Sequence, residues 1–173
     1  MSPRGWIAAL AAGVVALPLA VIILVLGTAS GGAGAPAAAG TTSQAASVAI
    51  AYARAQIGKP YKFGATGPDA FDCSGLVYMA YRSAGIGIPR TSEQQYAWGS
   101  PIPASQVRPG DLVFFTGDPI DPPPGHVGIV VGPGMMIDAL QTGTPVQEQP
   151  FSAAGTPTGF TDPLEHAGVM APP

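Results

Sequence analysis

A chain of 173 residues with 10% charged side chains and a formal net charge of −3 has room for one ordinary domain and lacks the basic patch that grips nucleic acid. Its single cysteine excludes an internal disulfide and a cysteine-rich zinc site. The two histidines lie far apart in sequence, so no structural metal and no cofactor is expected.

Hydropathy averaged over the chain is inflated by one segment. Trp6 to Leu26 runs 21 residues without a charge, Asn or Gln. As a helix rising about 1.5 Å per residue it is long enough for a bilayer core of roughly 30 Å. Arg4 is the charged side chain before it, which keeps the N-terminus in the cytoplasm and exports the rest. Pro18 is tolerated in a membrane helix. The segment exceeds the about 7–15 residues of a secretory h-region, which favours a retained anchor, although Ala33-Gly34-Ala35 and Ala37-Ala38-Ala39 would suit cleavage of a signal. Thr28 to Thr42 contains only Gly, Ala, Ser, Thr and Pro, the composition of a flexible tether. The expected organisation is an anchor or signal segment (1–27), a linker (28–42) and a single domain (43–173). That domain is expected to be monomeric and extracytoplasmic, anchored to the outer face of the cytoplasmic membrane or secreted.

Ser43 is the expected N-cap of a first helix, with Val48, Ala51, Tyr52 and Ala55 at helical spacing and Gly58 and Pro60 as its stop. Tyr61 to Asp69 reads as a glycine-rich loop. A second helix follows, in which Cys73, Leu76, Val77, Ala80, Tyr81 and Ala84 form one apolar stripe. Asp72 suits its N-cap and Gly85 its end. Thr91 to Gly99 predicts one more short helix. After Pro109-Gly110 the period changes to that of strands: Asp111 to Phe115, His126 to Val131, Met135 to Leu140 and Val146 to Phe151, with Gly132-Pro133-Gly134 as a turn. Whether the tail after Phe151 adds a strand is open. Helices first and antiparallel strands after predict an α+β domain with helices packed on one face of a sheet.

Cys73 falls in the first turn of its helix, where free backbone N–H groups and the helix dipole favour negative charge and hence the thiolate that attacks carbonyls. Gly75 lets another backbone or a substrate come close. On position alone, a small buried hydrophobe is an equally good reading of this cysteine. His126 opens a strand and Asp138 lies on the next. A three-residue turn makes paired positions sum to 266, so Gly128 opposes Asp138, and His126 and Asp138 become diagonal neighbours on one face. Gly128 leaves the space between them open, and the helix carrying the thiol is expected to cover that face. Alone, His126 reads as a strand-end histidine and Asp138 as a rim carboxylate. Together with the thiol they form a nucleophile–base–orienter set.

A helix-borne Cys opposite a strand-borne His resembles the papain arrangement. Asp72-Cys73-Ser74-Gly75-Leu76-Val77, Arg108-Pro109-Gly110-Asp111-Leu112, Gly125-His126-Val127-Gly128-Ile129 and Met136-Ile137-Asp138-Ala139 resemble, in order, the motifs of the NlpC/P60 cell-wall cysteine peptidases over roughly residues 44 to 151. The resemblance implies Cys73 as nucleophile, His126 as general base and Asp138 as third polar residue, where many members carry His. It implies that Tyr61, twelve residues before the cysteine, binds substrate or the oxyanion. It places Asp72 and Ser74 beside the nucleophile as substrate contacts, with Ser92 of Arg90-Thr91-Ser92 on the cleft wall. The implied substrate is the peptide stem of peptidoglycan, cut between D-isoglutamate and a diamino acid through a cysteinyl thioester. Acyl transfer on the same fold and a catalytically silent wall-binding protein are the alternatives. Gly117 to Gly125, with Pro122-Pro123-Pro124, reads as a surface connection or as one wall of the cleft. His166 has no evident partner and reads as a surface residue.

Overall fold

The computed structural model describes residues 37–117 and 123–166. Contacts divide the chain into Met1–Gly34 and Ala35–Pro173, and every element below belongs to the second unit. Trp6 to Leu26 lies outside the described residues, among which no helix is long and apolar enough to cross a membrane.

The first helix, α1, spans Ala37–Arg54, so it begins well before Ser43, which lies within it and does not cap it. Alanine has the highest intrinsic helix propensity, and Ala37-Ala38-Ala39 extend the helix into the stretch expected to be linker. Its buried face is Ala45, Ala46, Ala49, Ile50 and Ala53. Val48, Ala51 and Ala55 of the expected stripe are exposed and Tyr52 is half-buried. The small side chains let α1 pack closely against its neighbour, whereas Val48 stands on the outer side.

The second helix, α2 (Cys73–Ser83), buries the predicted stripe from Cys73 through Leu76, Val77, Ala80 and Tyr81. Asp72 is its N-cap and Ala84 its C-cap, and Gly85 follows with φ +77°, a conformation that favours glycine. A third helix, α3 (Ser92–Trp98), carries a capping box between Thr91 and Gln94.

Six strands follow among the described residues: β1 (Ser100–Pro101), β2 (Leu112–Phe115), β3 (His126–Gly132), β4 (Met135–Asp138), β5 (Gln147–Pro150) and β6 (Gly159–Asp162). They form one sheet in the order β1-β6-β2-β3-β4-β5, with antiparallel neighbours throughout. The tail therefore does add a strand, and β6 pairs with both β1 and β2.

One face of the sheet, through Leu112, Phe114, Val127, Ile129 and Ile137, packs on α1 and α2 and forms the main core. The other face holds a smaller cluster of Val113, Phe115, Val130 and Met136, covered in part by Phe151, Ala154 and Phe160. The Tyr81 hydroxyl donates to the Gly110 carbonyl, and a Cβ at Gly110 would meet Ala46 Cβ at 2.5 Å. The turn before β2 is thereby pinned to both long helices.

Candidate active site

The expected register holds where it matters: Ile129 pairs with Ile137 and Val130 with Met136, both summing to 266. Near the turn a bulge shifts the pairing, and Gly132 faces Met135. His126 and Asp138 meet as diagonal neighbours, with His126 Nε2 2.8 Å from Asp138 Oδ2. Their relative exposures are 4% and 0%, so this contact is dry.

The expectation that α2 covers their face is corrected. His126 pairs with Phe115 and its ring lies 5.7 Å from that ring, on the side of the smaller cluster and away from the helices. Because the side chains of a strand alternate, Val127 and Ile129 take the helix side and His126 and Val130 the other. Cys73 reaches His126 because the histidine is the first residue of β3 and the cysteine the first of α2, so the two meet at the strand's end. A hydrogen bond joins their side chains. With Nε2 taken by Asp138, Nδ1 is the ring nitrogen left for the sulfur. Gly128 also leaves room for Met136, whose Sδ would lie 2.8 Å from a Cβ at that position.

The electrostatics of the imidazole follow from this enclosure. Burial is the largest single influence and opposes protonation. The hydrogen bonds to Asp138 and Cys73, together with the negative charges of both, outweigh it and raise His126 from its ordinary 6.5 to about 9. At neutral pH the ring therefore carries the proton.

The turn carrying Cys73 is held from several sides. Asp72 Oδ1 accepts from the Gly75 N–H at 2.6 Å, and Oδ2 accepts from the Gly64 N–H at 2.8 Å. Arg90 donates to both carboxylate oxygens, at 3.0 and 2.6 Å, and to Ser74 Oγ at 2.9 Å. Gln95 Nε2 donates to the Ser74 carbonyl at 3.0 Å and to that of Pro89 at 2.9 Å, tying α3 to the same turn. A Cβ at Gly75 would stand 2.2 Å from the Ala65 carbonyl oxygen, so the loop over residues 61–72 rests directly on the helix N-terminus.

Two open cavities share Cys73, Tyr61, Phe63 and Gly125. One, of about 800 Å³, adds His126, Gly117, Leu140 and Ala153. The other, of about 480 Å³, adds Asp72, Ser74, Arg90, Ser92 and Glu93. The structure thus gathers Cys73, His126 and Asp138 into one chain and sets Tyr61, Asp72, Ser74 and Ser92 around the same sulfur. Gly117 and Gly125 make the proline-rich connection part of a cleft wall at its two ends. A further cavity of about 500 Å³, between α1 and the Arg108–Asp111 turn, shares no residue with these two. His166 lies beside Ser100 Oγ at 3.4 Å and against the Trp98 ring, centroids 5.2 Å apart, so it is not partnerless as expected. Among the described residues no group of three or more His, Cys, Asp or Glu is arranged to hold a metal ion.

Two residues escaped the sequence analysis. Gln149 Nε2 donates to Asp138 Oδ1 at 2.8 Å, and Gln147 Nε2 donates to Gln149 Oε1 at 2.7 Å. The period of two in β5 was the available signal, since Gln147 pairs with Asp138 and Gln149 with Met136 on one face.

Comparison with known proteins fits this geometry. The profile described as NlpC/P60 family matches residues 58–162. A probable endopeptidase of Corynebacterium glutamicum is 47% identical over 108 residues, which cover 59% of this chain and 49% of that protein. A probable endopeptidase p60 of Listeria welshimeri is 50% identical over 95 residues, covering 54% and 17%. The chain thus spans half or less of the length of these curated relatives. The solved structure of the peptidoglycan hydrolase RipB of Mycobacterium tuberculosis superposes with a TM-score of 0.60 at 32% identity, covering 75% of this chain and 71% of that one. The structure of NlpC1 from Trichomonas vaginalis gives 0.61 at 32% identity, covering 68% and 43%.

Proposed function

The chain belongs to the NlpC/P60 family, and from that premise we propose that it is a cysteine peptidase that hydrolyses amide bonds in the peptide stems of peptidoglycan. The observation that carries the reading is the buried chain from Cys73 through His126 to Asp138, which meets an open cleft at Cys73 and His126. In this reading the Cys73 thiolate attacks the amide carbonyl, forming the C–S bond. The oxyanion is held by the Cys73 backbone N–H in the first helical turn, with Tyr61 beside it. Collapse breaks the C–N bond, and His126 gives its proton to the leaving amine. Water then yields a proton to His126 while its oxygen attacks the thioester. The C–S bond breaks, and a carboxylic acid leaves as the thiolate is restored. Asp138 orients the ring throughout and stabilises its charge whenever it is protonated.

The bond proposed is that between D-isoglutamate and a diamino acid, with Asp72, Ser74 and Ser92 among the groups on the smaller cavity's wall that meet substrate. The relatives' names and the anchor or signal segment read from Trp6 to Leu26 together support an extracytoplasmic domain, tethered to the membrane or released from it. Purified muropeptides treated with the domain are expected to yield a new free amine and a new free carboxylate, read by mass spectrometry. Cleavage in the sugar strand, or an aminolysed or esterified product, would overturn the hydrolase reading.

The pH profile offers a separate check. Turnover needs the imidazolium, and that form is lost as pH rises through about 9, so the alkaline limb of kcat/KM should fall there. Asp138→Ala removes one of the groups that hold the proton on His126. The limb should move to lower pH and kcat drop by on the order of 10²-fold without vanishing. A rate and limb unchanged in this variant would take Asp138 out of the set.

A further inference from the structure

We infer that Gln149 is a positioning residue that, with Gln147 behind it, sets the rotation of the Asp138 carboxylate and through it the proton held by His126. The inference deepens the peptidase reading and rests on it for the consequence in turnover.

Asp138 is fully buried, and its two oxygens have different partners: Oδ2 meets His126 Nε2 at 2.8 Å and Oδ1 accepts from Gln149 Nε2 at 2.8 Å. The Gln149 amide is itself 9% exposed and its oxygen is engaged by Gln147 Nε2 at 2.7 Å. The direction of the amide is set at Asp138: flipped, it would put its oxygen against a carboxylate oxygen, and that contact would be lost whichever way the Gln147 amide turned. Gln149 can therefore only donate to Asp138, a polarity that suits the ionised carboxylate. A carboxylate turns freely about its last torsion unless both oxygens are held. Here one donor on each oxygen keeps the plane aligned with the imidazole, and β5 supplies the second donor without bringing a charge.

The surroundings of His126 allow the effect to be read cleanly. Among the described residues, the titratable groups facing the ring are Cys73 from α2 and Asp138 from β4, with Tyr61 lining the same cavity. From β2 the neighbour is the Phe115 ring. Glu148, between the two glutamines in β5, is paired with Arg54 at 3.1 Å and does not enter this chain. Among the described residues, the path from the amide at position 149 to the ring runs through Asp138.

Gln149→Met keeps the length and volume of the side chain and deletes the donor. Two measurements on the full chain test the inference: the pH dependence of Cys73 alkylation by iodoacetamide, and kcat and KM on muropeptides. The expected result is an alkaline limb moved below about 9, by less than in Asp138→Ala, with kcat lowered about tenfold and KM unchanged. Gln147→Met, one bond further out, should shift both in the same direction and by less. A limb and kcat like those of the unaltered protein, in a Gln149→Met variant that melts cooperatively, would overturn the inference. So would an equal loss in KM with no change in either profile. Alkylation does not require a substrate, so a shifted profile in a protein that cuts no muropeptide would refute the peptidase reading and leave the positioning role standing.

Discussion

Cys73→Ala is expected to lower the release of new peptide termini from muropeptides by on the order of 10⁵-fold, to the level left by binding and the oxyanion donors. No other sulfur exists in a cysteine of this chain to take over the attack. The substitution removes one atom from a residue 8% exposed at the mouth of the cleft, so thermal stability should change little. Cys73→Ser is the sharper control, because it keeps an atom of similar size hydrogen-bonded to His126 while replacing the thiolate with a hydroxyl. It too should be inactive. Cys73→Ala removes both the hydrogen bond and the negative charge that Cys73 brings to His126, and Cys73→Ser removes the charge, so the ring in either variant should titrate at lower pH, by more in Cys73→Ala, visible in its NMR shift. Identical digests from Cys73→Ala and the unaltered protein would refute the nucleophile assignment.

The largest expected loss of stability lies next door, at Asp72. Its carboxylate, 6% exposed, caps α2 through Gly75, fixes Gly64 and receives both arms of Arg90. Loss of an N-cap costs about 1 kcal/mol. Removing one partner of a buried pair costs about 3–5 kcal/mol, and the Arg90 side chain, 33% exposed, recovers part of that from water. Asp72→Ala should therefore destabilise by about 3–4 kcal/mol and lower Tm by roughly 10 °C. Arg90→Met added to it should give back part of the loss, because the stranded cation is then gone. A Tm within a degree or two of the unaltered protein, or a double variant less stable than the sum of the singles, would contradict this account.

The parts of the fold that were legible from sequence were those in which polar and apolar residues compete for position. The α2 stripe ends at charged Arg82 and begins at an N-cap, and its face was read correctly. In β3 and β4 the register read from a three-residue turn, and with it the meeting of His126 and Asp138, holds beyond the bulge, although the turn itself is shorter and Gly132, not Val131, faces Met135. The bulge at Val131–Gly132 was invisible, since Gly, Pro and Val at a turn suit several pairings. In α1 nearly every side chain is small and uncharged, so two stripes were equally apolar and the wrong one was chosen. The side of the sheet that His126 takes was hidden as well. Burial on both faces makes His126 to Val131 a continuous apolar run, and pattern alone does not say which face the helices occupy. Gln147 and Gln149 looked like solvent-facing polar residues because a buried amide announces itself only through its partner, here eleven residues back along the chain from Gln149. The pair β1 and β6 are two and four residues long and lie at opposite ends of a long connection, too short for periodicity to register.

That last pairing has a consequence for how the molecule comes into being. The strand nearest the C-terminus is wedged between β1 and β2, both made earlier, so a nascent chain leaving the ribosome cannot close its sheet until residues past Asp162 have emerged. Until then β2 presents an unpaired edge, and non-local closure of this kind is slow. A chain released before that point would lack one of the two neighbours that flank β2 in the finished sheet.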